Sequence, residues 1–229
     1  MLYVVATPIG NLDDLSIRQA KILTSSDVIL AEDTRSAHIL FNACQSRFQL
    51  PKTNNQPPQI ISYYKETEFE KLPEIIDLLK QGKNISIISQ AGTPLLNDPG
   101  YLLVKSCVQR GLPITVIPGA SAATTALIYS GFNPGQHMFL GFFPKKESQI
   151  IQLIDKLKKI KIIFPEMVFV FYESPLRINK ALHYINIMKC NFEIVICREM
   201  TKKFEEIIRL PIAELIKRKY KGEITVVIR

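Results

Sequence analysis

Short β-branched runs alternate with longer amphipathic segments along the chain, the order expected of an α/β protein. Residues 2–6 and Val28–Ala31 read as buried strands, joined by a helix over about residues 16–23. Ser16 is placed to cap that helix, because its hydroxyl oxygen can accept from first-turn amides. A second helix follows Asp33-Thr34, and residues 49–58, rich in Asn, Pro and Gln, predict a loop. The apolar spacing of Phe69, Leu72, Ile75, Ile76 and Leu79 predicts a helix over residues 66–81, stopped by Gly82. Residues 85–89 are a buried strand that runs directly into the loop Gln90-Ala91-Gly92-Thr93-Pro94-Leu95-Leu96-Asn97-Asp98-Pro99-Gly100. Asp98 and Pro99 are expected to open a helix through Val108, proline being tolerated in a first turn. Ile114–Ile117 is the next strand.

Pro118-Gly119 reads as a joint, giving lobes at residues 1–117 and 118–229. The second begins with a helix of small residues (120–130) and a strand (137–141), then a basic helix (147–161) and a strand (167–172). A helix from Pro175, a strand (192–198), a short Glu-rich segment, a helix near residues 211–218 and the strand Ile224–Ile228 complete it. The architecture expected is two α/β lobes with a cleft between them.

Composition narrows the class. With 47% apolar and 22% charged residues the chain can bury a core. No apolar run approaches the roughly 20 residues that span a bilayer. The first residues lack the basic lead and long apolar stretch of a signal peptide, so no membrane association is expected. Cys44, Cys107, Cys190 and Cys197 form no C-x-x-C pair, which suggests neither a zinc site nor a disulfide framework. A reduced cytoplasmic protein is the expectation.

Charge is unevenly placed. Residues 1–144 carry 11 Lys/Arg against 11 Asp/Glu, whereas residues 145–229 carry 18 against 10. The C-terminal excess points to a polyanion, since each phosphate contact releases condensed counterions. A lysine bias on solvated faces explains it equally well. Aromatics are few near the basic runs and tryptophan is absent, so no base-stacking platform is legible.

Five segments share one layout, in which a strand ends in a cluster of Gly, Pro and small polar or charged residues. They are Thr7-Pro8-Ile9-Gly10-Asn11, Glu32-Asp33-Thr34-Arg35, the loop from Gln90 to Gly100, Pro118-Gly119-Ala120-Ser121-Ala122 and Tyr172-Glu173-Ser174-Pro175. In open α/β sheets ligands sit beyond the carboxyl ends of strands, in such loops. No G-x-G occurs, so the dinucleotide fingerprint and the usual Rossmann methyltransferase loop are absent, as is a Walker lysine loop. His38, His137 and His183 are too far apart in sequence to favour a metal triad or a Ser-His-Asp arrangement.

These segments are joined by Ala31-Glu32-Asp33-Thr34-Arg35, Gly141-Phe142-Phe143-Pro144, Tyr172-Glu173-Ser174-Pro175-Leu176-Arg177, Arg198-Glu199-Met200-Thr201-Lys202, Phe204-Glu205-Glu206 and Lys221-Gly222-Glu223. In order and spacing, over nearly the whole chain, they resemble the ribosomal RNA small subunit methyltransferase I family. Its members are 16S rRNA (cytidine-1402-2'-O)-methyltransferases of the tetrapyrrole methylase superfamily. The resemblance implies a two-lobed tetrapyrrole-methylase-like fold, each lobe a mixed sheet flanked by helices. S-adenosyl-L-methionine is then expected in the cleft, held largely by backbone groups. By motif its contacts are Pro8, Gly10, Gln90, Ala91, Gly92, Thr93, Asp98, Ser121, Ala122, Tyr172, Glu173, Glu199 and Met200, with Gly222 closing the pocket. Gln90 stands where relatives usually have Asp, and Asn97 where they have Ser. An amide still accepts a hydrogen bond but loses charge assistance toward the cofactor's ammonium. Relatives also tend to place His in the segment that here reads Ser62-Tyr63-Tyr64-Lys65-Glu66, and many carry a further small C-terminal domain that this chain is expected to lack.

The implied reaction moves the cofactor's methyl group in line onto a ribose 2'-hydroxyl, which demands alignment and removal of the hydroxyl proton. Asp33 is the leading proton acceptor and Glu32 the second. Glu173 and Glu205 rank lower, since they can instead orient Arg35, Lys202 or the cofactor. Arg35, Arg177, Arg198, Lys202 and Lys203 are the expected phosphate contacts. The implied partner is 16S rRNA in the small ribosomal subunit, its cytidine splayed from the helix. No metal is required, and a homodimer is expected. Two other readings share the fold: a methyltransferase for a tetrapyrrole-like small molecule, and a non-catalytic binding protein.

Overall fold

The computed structural model describes residues 1–49 and 56–229, so residues 50–55 of the expected loop lie outside the described residues. The chain divides into two compact units, Met1–Ser121 and Ala122–Arg229. Among the described residues no helix is long and apolar enough to cross a membrane.

The first unit runs β1 (Leu2–Val5), α1 (Ile17–Ser25), β2 (Val28–Ala31), α2 (Thr34–Phe48), β3 (Gln59–Ser62), α3 (Glu68–Lys80), β4 (Ile85–Ile88), α4 (Tyr101–Gln109) and β5 (Ile114–Ile117). Its sheet has the order β3-β2-β4-β1-β5. The expected mixed sheet is not seen here: each of these pairings is parallel. Successive side chains of a strand point to opposite faces, and helices cover both. Leu2, Val4, Leu30, Ile85 and Ile87 pack under α3 and α4, while Val5, Ile29, Ala31, Ile88 and Ile117 pack under α1 and α2. Burial on both faces is why these strands read as unbroken apolar runs.

The second unit runs α5 (Ala122–Ser130), β6 (His137–Phe142), α6 (Glu147–Ile163), β7 (Val168–Glu173), α7 (Ile178–Ile187), β8 (Ile194–Arg198), β9 (Glu206–Ile208), α8 (Ile212–Leu215) and β10 (Ile224–Ile228). Its sheet, ordered β6-β7-β10-β8-β9, is mixed: β6 and β7 are parallel and the other pairs antiparallel. Phe169, Phe171, Ile196 and Val226 face a core built with α6 and α7, and α5 packs against β7, β8 and β10.

Two missed strands and two helix starts differ from the pattern reading. The edge strands β3 and β9 escaped it because β3 is only half-buried and β9 has three residues. α7 starts at Ile178, after a turn in which Arg177 N and Ile178 N donate to Ser174 O, rather than at Pro175. α4 starts at Tyr101 rather than Asp98: Leu95, Asn97 and Gly100 all have positive φ, which keeps the preceding segment out of a helix.

The free amides of that helix start find an acceptor outside their own segment. Glu68, buried at the head of α3, accepts through Oε1 from Gly100 N at 3.1 Å, Leu102 N at 2.8 Å and Leu103 N at 3.4 Å. A carboxylate there also meets the positive end of the helix dipole. Glu68→Ala is expected to destabilise the protein by about 1–3 kcal/mol, because buried donors lose their acceptor. In urea titrations the midpoint should fall, while the exposed Glu74→Ala of the same helix stays within about 0.5 kcal/mol of the parent.

Candidate active site

The register of the first unit brings its strand ends into line. Val5 pairs with Ile88 and Ile117, and Ala31 pairs with Ile88 and Ser62. The segments starting at Ala6, Glu32, Ser89 and Pro118 therefore leave one edge of the sheet together. Ser16 and Gln19 form a capping box at α1, with Ser16 Oγ accepting from Gln19 N and Gln19 Oε1 from Ser16 N. The other end of the same buried amide, Gln19 Nε2, donates to Ala6 O at 2.9 Å and Pro118 O at 3.3 Å. It thereby ties the end of β1 to the end of β5.

Beyond the ladder, Thr7 and Gly92 exchange two backbone hydrogen bonds, N to O at 2.8 and 3.1 Å. Ser89 Oγ donates to Gly92 O at 3.0 Å and Thr93 Oγ1 to Ala120 O at 3.0 Å. Gly92 has φ +86, and a Cβ there would lie 3.1 Å from Ile9 Cγ2 and 3.4 Å from Ala120 O. Glycine is thus favoured by conformation, and the space beside it is tight. Around this lock Pro8 is buried, Ala91, Thr93, Ser121 and Ala122 are half-buried, and Gly10 and Gln90 are exposed.

The acids of this edge have different tasks. Asp33 is the N-cap of α2: its carboxylate accepts from Arg35 N at 2.8 Å, Ser36 N at 3.5 Å and Ser36 Oγ at 3.2 Å. Those bonds, led by the Arg35 amide, hold its pKa below the ordinary value. A carboxylate so stabilised is a weaker base. Asp98 is the opposite case. Burial, and then the nearby Glu32 carboxylate, push it up to about 6, with Ser89 pulling the other way. Glu32 itself is exposed. The pairing of Glu32 with Asp98, which follow neighbouring strands, was not legible from spacing; only the order of strands brings them together.

In the second unit Ile224 pairs with both Glu173 and Arg198, which aligns the ends of β7 and β8 with the start of β10. Tyr172, Glu173, Glu199, Met200 and Gly222 share that edge. Glu173 is 3% exposed and accepts from Ser174 N at 2.7 Å and from Arg177. Burial nonetheless raises its pKa, outweighing Ser174, Arg177 and Lys145. Glu199 has φ +49 and accepts from Glu223 N at 2.8 Å and Lys202 Nζ at 3.3 Å. Gly222, with φ +79, is where that side chain lies: a Cβ would stand 2.5 Å from Glu199 Oε1.

The five expected phosphate contacts separate on the same grounds. Arg198 is paired with Glu206, and Lys202 with Glu199 and Glu223. Lys203 lies over the Phe204 ring, and both it and Arg35 are exposed. Arg177 is anchored on Glu173, yet its Nη1 is buried with no hydrogen-bond partner among the described residues.

Comparison with known proteins gives this geometry its context. The family described as Tetrapyrrole (Corrin/Porphyrin) Methylases matches residues 1–216. A Thermotoga maritima protein named ribosomal RNA small subunit methyltransferase I is 39% identical over 231 residues, covering 99% of this chain and 97% of that protein. One of the same name from Hydrogenobaculum is 37% identical, covering 99% and 94%. One from Streptococcus pyogenes is 39% identical, covering 94% of this chain and 70% of its own length. Among solved structures, the methyltransferase CobJ superposes with TM-score 0.71 at 13% identity, over 99% of this chain and 92% of that one. Diphthine synthase does so with TM-score 0.67 at 13% identity, over 99% and 89%.

The proton affinity of Asp98 has a stability signature. A carboxyl raised from 3.8 to about 6 in the folded protein is disfavoured when ionised, so its cost is absent below about pH 4 and complete above pH 6. Asp98→Asn should therefore stabilise the protein at pH 7.5, by on the order of 1–2 kcal/mol once solvent screening is allowed for. Denaturation curves at pH 7.5 and pH 4 test this; a gain of equal size at both would refute the assignment.

Proposed function

The chain belongs to the tetrapyrrole methylase family, and from that premise we propose that it transfers a methyl group from S-adenosyl-L-methionine to a ribose 2'-hydroxyl of 16S rRNA. The target is the cytidine of the small subunit that the sequence resemblance implies, position 1402. The observation that carries the substrate is 39% identity across 99% of the chain to a relative named for small-subunit ribosomal RNA methylation. The same reading makes it a cytoplasmic protein and a homodimer.

The strand edge of the first unit fits the cofactor. Ala91, Gly92, Thr93 and Ser121 have side chains too short to cover their own backbone groups, and Pro8 and Ile9 back them with apolar surface. The carboxyls of Glu32 and Asp98 supply the negative field that favours a cation. When bound, S-adenosyl-L-methionine supplies an electrophilic methyl group on a positively charged sulfur.

The protein's own part is alignment and proton removal. Glu32 takes the hydroxyl proton, and Asp98 beside it shares it. Near neutral pH a carboxyl with pKa about 6 is mostly ionised yet a stronger base than an ordinary one. Asp33, first in line from the sequence, serves instead by capping α2 and so fixing the chain at Glu32. Arg177 and the exposed Lys203 supply phosphate contacts, whereas the ion pairs of Arg198 and Lys202 make these two structural.

Incubation with labelled S-adenosyl-L-methionine and small subunits from cells lacking the activity should place label on a ribose of the 16S rRNA. Cofactor binding with no label in the subunit would overturn the substrate. Glu32→Gln is expected to lower kcat roughly 10²-fold, with a much smaller loss of cofactor affinity from the removed charge. Asp33→Asn, which keeps a capping side chain, should stay within a few fold of the parent. If the two variants exchange these behaviours, Asp33 is the base.

A further inference from the structure

Glu32 and Asp98 follow the neighbouring strands β2 and β4, and their separation depends on what holds the segment that carries Asp98. Between Gly92 and Gly100 the chain does little of this itself. Leu96 and Asn97 are exposed, while Leu95 and Asn97 take φ of +71 and +75. An L residue keeps such a conformation only where its surroundings hold it. One end of the segment is fixed by the exchange between Thr7 and Gly92 and by Thr93 Oγ1 donating to Ala120 O. The other end, two residues past Asp98, is fixed by Glu68, which accepts from Gly100 N at 3.1 Å and Leu102 N at 2.8 Å.

Glu68 is in turn tied to the strand that leads to Glu32. Tyr63 N donates to Ala31 O at 2.8 Å, which carries the pairing of β2 and β3 up to the residue before Glu32. The turn from Tyr63 to Glu68 is closed by local bonds. Thr67 N donates to Tyr64 O at 2.9 Å, Thr67 Oγ1 to the same carbonyl at 3.2 Å, and Lys71 Nζ to Ser62 O. Tyr63 is buried with its hydroxyl near the Glu68 carboxylate: burial, and then that charge, raise the pKa of the phenol. A continuous path therefore runs from Ala31 through Tyr63 and Glu68 to Gly100, and it joins the chain just before one acid to the chain just after the other.

We propose that Glu68 is a positioning residue for the proton-accepting pair, the turn at residues 63–68 being a strut that sets Asp98 against Glu32. This rests on the reading above that the two acids remove the hydroxyl proton. Among the described residues, the groups that act on the Asp98 carboxyl are Glu32, from the end of β2, and Ser89, from the end of β4. Glu68 is not one of them, so its loss reaches Asp98 through the position of the segment rather than through the lost charge.

The test reads Asp98 directly, by carbon NMR titration of the full chain labelled at its aspartate carboxyls, with Asp98→Asn identifying the resonance. The parent should show a midpoint of about 6. In Glu68→Ala the segment loosens into water and away from Glu32, so the midpoint should fall by about one pH unit, toward an ordinary carboxyl. Glu68→Asp keeps the charge but is one methylene short of the amides, and should fall likewise; it carries the test if the Ala variant does not fold. Glu68→Gln keeps an acceptor oxygen and should hold the parent midpoint, although it gives up the attraction of a charge to the helix dipole. Methyl transfer to small subunits should follow the same order, with kcat roughly tenfold lower in the Ala and Asp variants and recovered in the Gln variant. An Asp98 midpoint that stays put in a folded Ala or Asp variant, or that falls as far in the Gln variant, would overturn the strut. The two readings fail separately. A midpoint that falls in Glu68→Ala while kcat holds refutes the acids as proton acceptors, and an unmoved midpoint in an active enzyme refutes only the strut.

Discussion

A parallel sheet ends in backbone groups that its ladder no longer pairs, and leaving them buried without partners costs as much as a lost hydrogen bond. In the first unit one buried amide, Gln19, meets much of that demand. Its oxygen closes the capping box of α1 while its nitrogen holds the carbonyls of Ala6 and Pro118. The rest of the edge follows. Gly119 must be glycine, since a Cβ would lie 2.3 Å from Gln19 Nε2. With β1 and β5 clasped beyond their ends, Thr7 can exchange hydrogen bonds with Gly92, and Thr93 can reach Ala120. The small residues that read as a ligand cradle are therefore first of all parts of a hydrogen-bonded closure. That closure is also what makes the cradle rigid enough to hold a reacting group in line.

The two strand edges differ in electrostatic character. At the first, burial and then the neighbouring Glu32 raise the proton affinity of Asp98, while Asp33 is held down by its capping bonds. The second has acids that are mostly spent. Glu206 neutralises Arg198 and Arg218, Glu199 and Glu223 neutralise Lys202, and Glu173 holds Arg177. A gross count of basic residues therefore overstates how many cations are available to a phosphate. Arg177 differs from these in keeping one buried nitrogen with no hydrogen-bond partner among the described residues.

Strands buried on both faces, such as β1, β2 and β4, were legible as unbroken apolar runs, and the more exposed β5 and β6 were read as well. Ser16 and Gly82 were legible as helix ends because capping is local chemistry, and both act as expected: Ser16 accepts from Gln19 N, and Gly82 takes φ +85 beyond α3. What failed was non-local. Pro99 looked like a helix opener, but Leu95 and Asn97 at positive φ, and the acceptor Glu68 some thirty positions earlier, put the start at Tyr101. Asp33 reads as a base because it follows a strand, and the structure adds that it caps α2, accepting from Arg35 N at 2.8 Å. β6 runs one residue past the strand read from the sequence, to Phe142, across a loss of register with β7 that spacing alone does not show.

Gln90 is the remaining departure from the pattern, and the Asp98 environment gives it a physical setting. Gln90 is exposed and adjoins Ser89, the residue that partly offsets the raised proton affinity of Asp98. A carboxylate at position 90 would add a further negative charge to an edge that already holds Glu32, Asp33 and Asp98. Like charges raise one another's proton affinity. An amide avoids that increment and leaves Asp98 near 6, where it is still mostly ionised at neutral pH. On the reading proposed above, in which position 90 faces the cofactor's ammonium, the same substitution would also remove a counter-charge from that group. Gln90 thus exchanges ground-state attraction for the cofactor against the ionised fraction of the neighbouring acid. Attraction to a part of the cofactor that does not react strengthens ground state and transition state alike, whereas an ionised base acts only on the reacting hydroxyl, so the exchange favours turnover over affinity.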